Sequence, residues 1–230
     1  MSNTFRNIEV IAFDADDTLW VNETYFREAE QQFAKLLSNY ETENKIEQEL
    51  FKKEMENLML YGYGVKGFVL SMVESALEIS NYKIDSKIIK EIVSIGKNMI
   101  QKPIELLADV KQTLSVLNPK YKLILATKGD LLDQERKLEK SGLLKYFHHI
   151  EVLSEKKAAN YKRLLGHLDV PPSKLLMVGN SLKSDVLPLL EIGAQAIHVP
   201  FHTTWAHEEV KHNGEGYKTV HKLSDILNFL

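Results

Sequence analysis

The chain has 230 residues, 44% of them hydrophobic, and 29 Lys and Arg against 32 Asp and Glu leave a formal charge of −3. That length holds one ordinary core with an inserted subdomain, or two small domains, and the lack of a basic excess argues against a nucleic-acid binder. No cysteine is present, which excludes disulfides, zinc thiolates and cysteine nucleophiles together. The opening MSNTFRNIEVIAFDADD has its apolar run interrupted by Glu9 and stopped by Asp14, so no signal core is expected. No apolar run is long enough to span a bilayer, and the expectation is a cytoplasmic protein without a membrane partner.

The first predicted element is the strand IEVIAF (8 to 13), which ends abruptly in Asp14, Asp16 and Asp17, followed by Thr18. From 21 to about 100 the pattern changes to helical spacing: Phe26, Ala29, Phe33, Leu36 and Tyr40, then Leu50, Met55, Leu58 and Met59, then Val69, Val73 and Ala76, then Ile88, Ile92 and Ile95. Four helices account for it, with YGYGVKG (61 to 67) as the most glycine-punctuated bend, and QKP ending at Pro103 marks the return linker. Four more apolar runs then read as strands: YKLILAT (121 to 127), HIEVLS (149 to 154), KLLMVGN (174 to 180) and AQAIHVP (194 to 200). The helical stretches LLDQERKLEKSGL, KKAANYKRLLGHL and LKSDVLPLLEIG lie between them. The expected fold class is α/β, a doubly wound, Rossmann-like parallel sheet formed by residues 1–20 and 101–230, with an all-helical insert over 21–100.

In such a sheet, ligands bind beyond the carboxyl ends of the strands. The first strand delivers Asp14 and Asp16 there, the second Thr127, Lys128 and Gly129, the third Lys156 and Lys157, and the fourth Asn180, Ser181 and then Asp185. In an extended chain, Asp14 and Asp16 point to one side, and two like charges roughly 4 Å apart repel by about 4 kcal/mol at an effective dielectric near 20. A hard divalent ion such as Mg2+ would offset that repulsion, with Asp185 and Asn180 completing its oxygen ligands. The Thr127 hydroxyl, the backbone N–H groups of Lys128 and Gly129, and one of Lys156 and Lys157 suit phosphate oxygens. Asp14 could then attack phosphorus, and Asp16 could protonate the departing alcohol and later activate water.

These motifs resemble the haloacid dehalogenase superfamily over nearly the whole chain. FDADDTL is similar to its first signature, D-x-D-x-T; Thr127 in LILATKGD looks like the second; LSEKKAANYKRLL looks like the third, with Lys156 favoured by its spacing to Tyr161; and VGNSLKSD (178 to 185) resembles the fourth, G-D-S-x-x-x-D. The resemblance implies that Asp14 is the nucleophile and a metal ligand, that Asp16 is the acid/base whose backbone carbonyl also meets the metal, and that Asp185 is a metal ligand. Asn180 stands where an Asp is commoner, which removes a charge but keeps an oxygen. Residues 21–100 resemble the family's helical cap, with Tyr63 and Lys66, beside Tyr61, as candidate substrate contacts.

The function expected is a Mg2+-dependent phosphatase acting on a small phosphorylated metabolite through an aspartyl-phosphate. A phosphomutase or another phosphoryl- or carbon-group transfer of this superfamily is the alternative: a mutase uses the same core residues, phosphonate cleavage would need a cap lysine forming a Schiff base, for which Lys66 is the candidate, and dehalogenases usually lack an acid where Asp16 stands. A receiver-type signalling module gathers similar groups in a different chain order and has no cap, and a non-catalytic binding protein has its foothold in Asn180 alone. Asp17 reads as a helix-start residue or a support behind the ligands rather than as a ligand. His198, His202 and His207 in HVPFHTTWAHE lack the paired acid or helical spacing of a metal site and read as lining the rim.

Overall fold

The computed structural model describes residues 5–230. Strand β1 (Val10–Phe13) is buried along its whole length and is flanked on both sides, by β2 (Lys122–Lys128) and β4 (Leu175–Gly179). With β3 (His149–Leu153), β5 (Gln195–His198) and β6 (Lys218–Thr219), these strands form one parallel sheet in the order β3-β2-β1-β4-β5-β6. A sheet covered on both faces needs apolar side chains at consecutive positions, which is why the strands read as unbroken apolar runs.

Alternate residues serve opposite faces. Ile11, Phe13, Leu123, Leu125, Leu176, Val178 and Ile197 pack in one core with α5 (Val110–Leu117), Leu138 of α6 (Leu131–Ser141) and the C-terminal turn carrying Leu223 and Ile226. Val10, Ala12, Ile124, Ala126, Leu175, Met177 and Ala196 pack in a second core with Tyr161, Leu164 and Leu165 of α7 (Ala158–Leu168) and Leu189 of α8 (Leu187–Glu191).

By contact the chain divides into two compact units, the sheet unit (1–23, 104–128 and 134–230) and a helical unit (24–103 and 129–133). The helical unit takes most of α1 (Glu23–Leu36), then α2 (Glu43–Tyr61), α3 (Val65–Ile79) and α4 (Ser86–Gln101), around a core of its own that includes Phe33, Leu37, Leu50, Met72 and Ile92. The bend between α2 and α3 is Gly62–Tyr63–Gly64, and both glycines have φ in the left-handed region, +72° and +107°, which a side chain would resist. Segment 129–133 groups with the helices: the Lys66 ammonium donates to Asp130 at 2.9 Å, and a Cβ on Gly64 would lie 3.2 Å from the Asp130 nitrogen. Among the described residues, no helix is long and apolar enough to cross a membrane.

The stretch 182–193, expected as one helix, is divided into a π-helical turn (Leu182–Val186) and α8. Pro188 has no N–H to give to the carbonyl four residues back, that of Ser184. The Tyr161 hydroxyl donates to that carbonyl instead, at 3.0 Å. Helix α5 and strand β6 were not foreshadowed by the apolar pattern; β6 is only Lys-Thr at a sheet edge.

Candidate active site

The register of the sheet brings four chain segments to one level. Phe13 lies opposite Leu125 on one side and Val178 on the other, so Asp14 leaves β1 beside the last residues of β2 and β4. The Asp14 N–H still donates to the Val178 carbonyl at 2.9 Å, which fixes its backbone to the sheet. Thr127 and Lys128 pair with Val152 and Leu153, and Lys156 follows three residues later.

At the centre is Lys156, 3% exposed, whose ammonium donates to Asp14 Oδ1 at 2.5 Å and to Asp185 Oδ1 at 2.6 Å. Lys157 is on the surface. Two buried carboxylates thus share one cation. Burial pushes the Asp14 carboxyl up to about 7 in spite of the Lys156 charge beside it, and the Asp185 charge adds to the rise. Burial works against the Lys156 ammonium, yet Asp14 and Asp185 hold its pKa well above that of an ordinary lysine. The lysine therefore stays charged between the two acids, and among the described residues it is the cation paired with both.

Asp185 is seated by its own turn. Its Oδ2 accepts the Ser181 N–H at 3.0 Å, its N–H donates to the Ser181 carbonyl at 2.8 Å, and the Ser181 hydroxyl accepts the Ser184 N–H at 3.0 Å. Gly179 makes room for the carboxylate, since a Cβ there would lie 2.3 Å from Asp185 Oδ2. The Thr18 hydroxyl lies 3.1 Å from Asp14 Oδ2 and 3.3 Å from Asn180 Oδ1, so the Asn180 amide oxygen faces the same place. His198 Nε2 is 3.0 Å from the Asn180 carbonyl and must carry the proton there; burial lowers its pKa, in keeping with a neutral ring.

Asp16 has a partner set of its own. Its Oδ1 accepts the Trp20 indole N–H at 2.7 Å and the Lys137 ammonium at 2.9 Å, and its Oδ2 accepts the Gln134 amide at 2.8 Å. The Asp16 carboxylate thus has partners distinct from Lys156: α6 presents Gln134 and Lys137, one turn apart on one face, to it. Asp17, with φ +61°, accepts the Asn22 and Glu23 N–H groups at the start of α1, the place read for it from the sequence.

Thr127 is 1% exposed, and its hydroxyl donates to the Lys128 carbonyl at 3.1 Å. The Lys128 side chain turns away to Glu208 and Ser184. Gly129, Tyr63 and Lys66 belong to the helical unit, where the Tyr61 hydroxyl donates to Glu74. Sequence reasoning passed over Gln134, Lys137 and Glu208. The first two carry a faint signal as polar residues three apart on one helix face, whereas Glu208 carries none.

A cation can be tested against this donor set. Among the described residues, no three acidic or imidazole groups converge as a metal site. The candidate ligand atoms are oxygens, those of the Asp14 and Asp185 carboxylates and the Asn180 amide, with the Lys156 ammonium between the two carboxylates. That set fits Mg2+, which accepts one or two carboxylates and retains water. It does not suit a softer metal, which would call for thiolate or imidazole.

A family model described as haloacid dehalogenase-like hydrolase matches residues 8–193. The chain belongs to the haloacid dehalogenase-like hydrolase family. Members of this family are enzymes acting on small molecules, and they generally use Mg2+. A haloacid dehalogenase-like family hydrolase from Xanthomonas campestris is 38% identical, with a TM-score of 0.84 over 95% of this chain and 92% of that one. The 2-haloacid dehalogenase of Pseudomonas syringae pv. Tomato DC3000 is 18% identical, with a TM-score of 0.65 over 96% and 97% of the two chains. The HAD-hydrolase YfnB of Bacillus subtilis, described as bound to magnesium, is 17% identical, with a TM-score of 0.64 over the same shares. At such identities these last two show the fold alone, and structures described as phosphatases match it equally well. No curated protein matches the sequence.

Proposed function

We propose that this haloacid dehalogenase-like hydrolase is a Mg2+-dependent phosphatase that cleaves a small phosphorylated metabolite through an aspartyl-phosphate. The observation that carries the reading is Asp16: an acid two residues from the buried Asp14, held on both oxygens by Trp20, Lys137 and Gln134. Displacement of halide needs no proton on the leaving group, whereas release of an alcohol does.

Asp14, Asp185 and Asn180, with the backbone carbonyl of Asp16, would hold the Mg2+. Bound there, Mg2+ supplies positive charge to the two carboxylates and to the transferring phosphoryl oxygens. Asp14 attacks phosphorus, forming the new P–O bond as the bond to the leaving oxygen breaks. Asp16, in its protonated form, gives its proton to that oxygen. As a carboxylate it then takes a proton from the water that attacks phosphorus, releasing phosphate and restoring Asp14. Lys156 holds the nucleophile in line and neutralises charge beside it, and Thr127 with the Lys128 and Gly129 N–H groups receives the phosphoryl oxygens. Tyr63 and Lys66 of the helical unit are assigned to the choice of substrate.

A panel of phosphorylated metabolites assayed with and without Mg2+ tests the reading. Phosphate release is expected to require the metal and to be abolished in Asp14→Asn. Undiminished turnover by that variant removes Asp14 as nucleophile, and halide release from an added 2-haloacid, with no phosphate released from the panel, would return the chain to dehalogenase chemistry.

A further inference from the structure

The turn Ala206–Glu208, beyond the last long strand, sends one carboxylate back beneath the site. Glu208 Oε1 accepts the Lys128 ammonium at 2.5 Å, and Oε2 accepts the hydroxyls of Ser181 and Ser184, each at 2.6 Å. The Lys128 ammonium also donates to the Ser184 hydroxyl at 3.0 Å, which closes the cluster. Both charged side chains are largely out of water, 14% exposed for Lys128 and 12% for Glu208. Burial alone would raise the Glu208 pKa, but Lys128 and the two hydroxyls hold it at about 2, so the carboxylate is a permanent charge near neutral pH.

Each partner stands next to a group already placed in the site. Lys128 follows Thr127. Ser181 binds Asp185 through its N–H and its carbonyl, and Ser184 precedes Asp185 in the chain. We propose that Glu208 is a positioning residue of the phosphoryl-transfer centre: its carboxylate ties the Thr127–Lys128 strand end to the Ser181–Asp185 turn, setting the distance between the phosphoryl-binding hydroxyl and the cation-binding carboxylate. The proposal rests on the phosphatase reading above. A buried ion pair of this kind contributes little net stability relative to well-packed apolar residues, so its value lies in the geometry that it imposes on both loops. Small errors in such spacing are costly, since a displacement of about 1 Å can lower turnover by roughly a hundredfold.

The test uses the full chain with Glu208→Gln, which keeps shape but loses charge, and Ser184→Ala, which removes one tie and leaves the Lys128–Glu208 ion pair in place. Three measurements are made on each: Mg2+ affinity by calorimetry without substrate, formation of the Mg2+-dependent beryllium trifluoride adduct by fluorine NMR, and kcat and KM on an aryl phosphate. For folded variants, the expected result is Mg2+ affinity weakened several-fold, a reduced yield of adduct and kcat lowered at least about tenfold, with KM little changed. Wild-type Mg2+ affinity and kcat in both variants, or a rise in KM alone, would overturn the proposal. If Glu208→Gln fails to fold, Ser184→Ala decides by the same readouts. Failure of the wild-type protein to form the adduct would instead overturn the phosphatase reading, and that outcome is distinct because it precedes any variant.

Discussion

Lys156 faces two carboxylates, and that imbalance shapes the chemistry available around it. With its ammonium 2.5 Å from Asp14 and 2.6 Å from Asp185, neither acid can be removed without altering the charge seen by the other. Glu208 shows the opposite balance, one carboxylate satisfied by an ammonium and two hydroxyls. Its pKa, held at about 2 against an ordinary 4.5, makes the folded state bind its proton less readily than the unfolded chain. The contribution of Glu208 to stability is therefore complete above pH 4.5 and is lost as pH falls towards 2. Urea unfolding of wild type and Glu208→Gln should differ by about 3 kcal/mol at pH 7, because the variant takes the carboxylate charge away from a largely buried ammonium. The gap should narrow steadily below pH 4.5, as protonated Glu208 comes to resemble the glutamine. A gap that does not change with pH would show that the carboxylate charge is not what Lys128 requires.

Among the elements, the junction of β4 with the π-helical turn leaves least room for substitution. Gly179 ends the strand, and Asp185 folds back so closely that a Cβ on Gly179 would meet the near end of its side chain, 2.6 Å from Asp185 Cβ. Gly179→Ala is expected to destabilise the protein by about 1–3 kcal/mol, the usual cost of overpacking, and to lower turnover further than the loss of folded protein explains. Chemical denaturation with activity per folded molecule checks both parts. Helix α6 plays a comparable part at Asp16, because Gln134 donates both to Asp16 Oδ2 and to the Lys128 carbonyl, linking the acid to the end of β2. Lys137, a turn later, binds Asp16 and the Asn22 side chain together.

At the scale of the whole molecule, the sheet unit and the helical unit each have a hydrophobic core of their own. Met72 is fully buried in the helical core. Met72→Ala should cost about 2–5 kcal/mol through the lost contacts and the cavity left behind. Native-state hydrogen exchange should show protection falling in α1 to α4 and remaining near wild type in β1 and β4. An equal fall in both would show that the two cores unfold as one.

The sequence by itself determined the elements that bury apolar surface. Unbroken runs such as VIAF and LLMVG, too short for a helix and bounded by polar residues, read as strands covered on both faces, and the spacing of Phe26, Ala29, Phe33 and Leu36 suits one side of a helix. It also displayed Asp14, because a charge that ends a core strand is conspicuous in one dimension, whereas Thr127, Lys156 and Asp185 were legible only through the order and spacing of the motifs that contain them. Tertiary structure alone decided which polar groups meet. Lys137 reaches Asp16 from 121 positions away and Glu208 reaches Lys128 from 80, and nothing in the local chemistry of a lysine on a helix or a glutamate in a turn announces its partner. Hydrophobic burial repeats along the chain with the period of the element, whereas an ion pair is a single meeting in space and leaves no period behind.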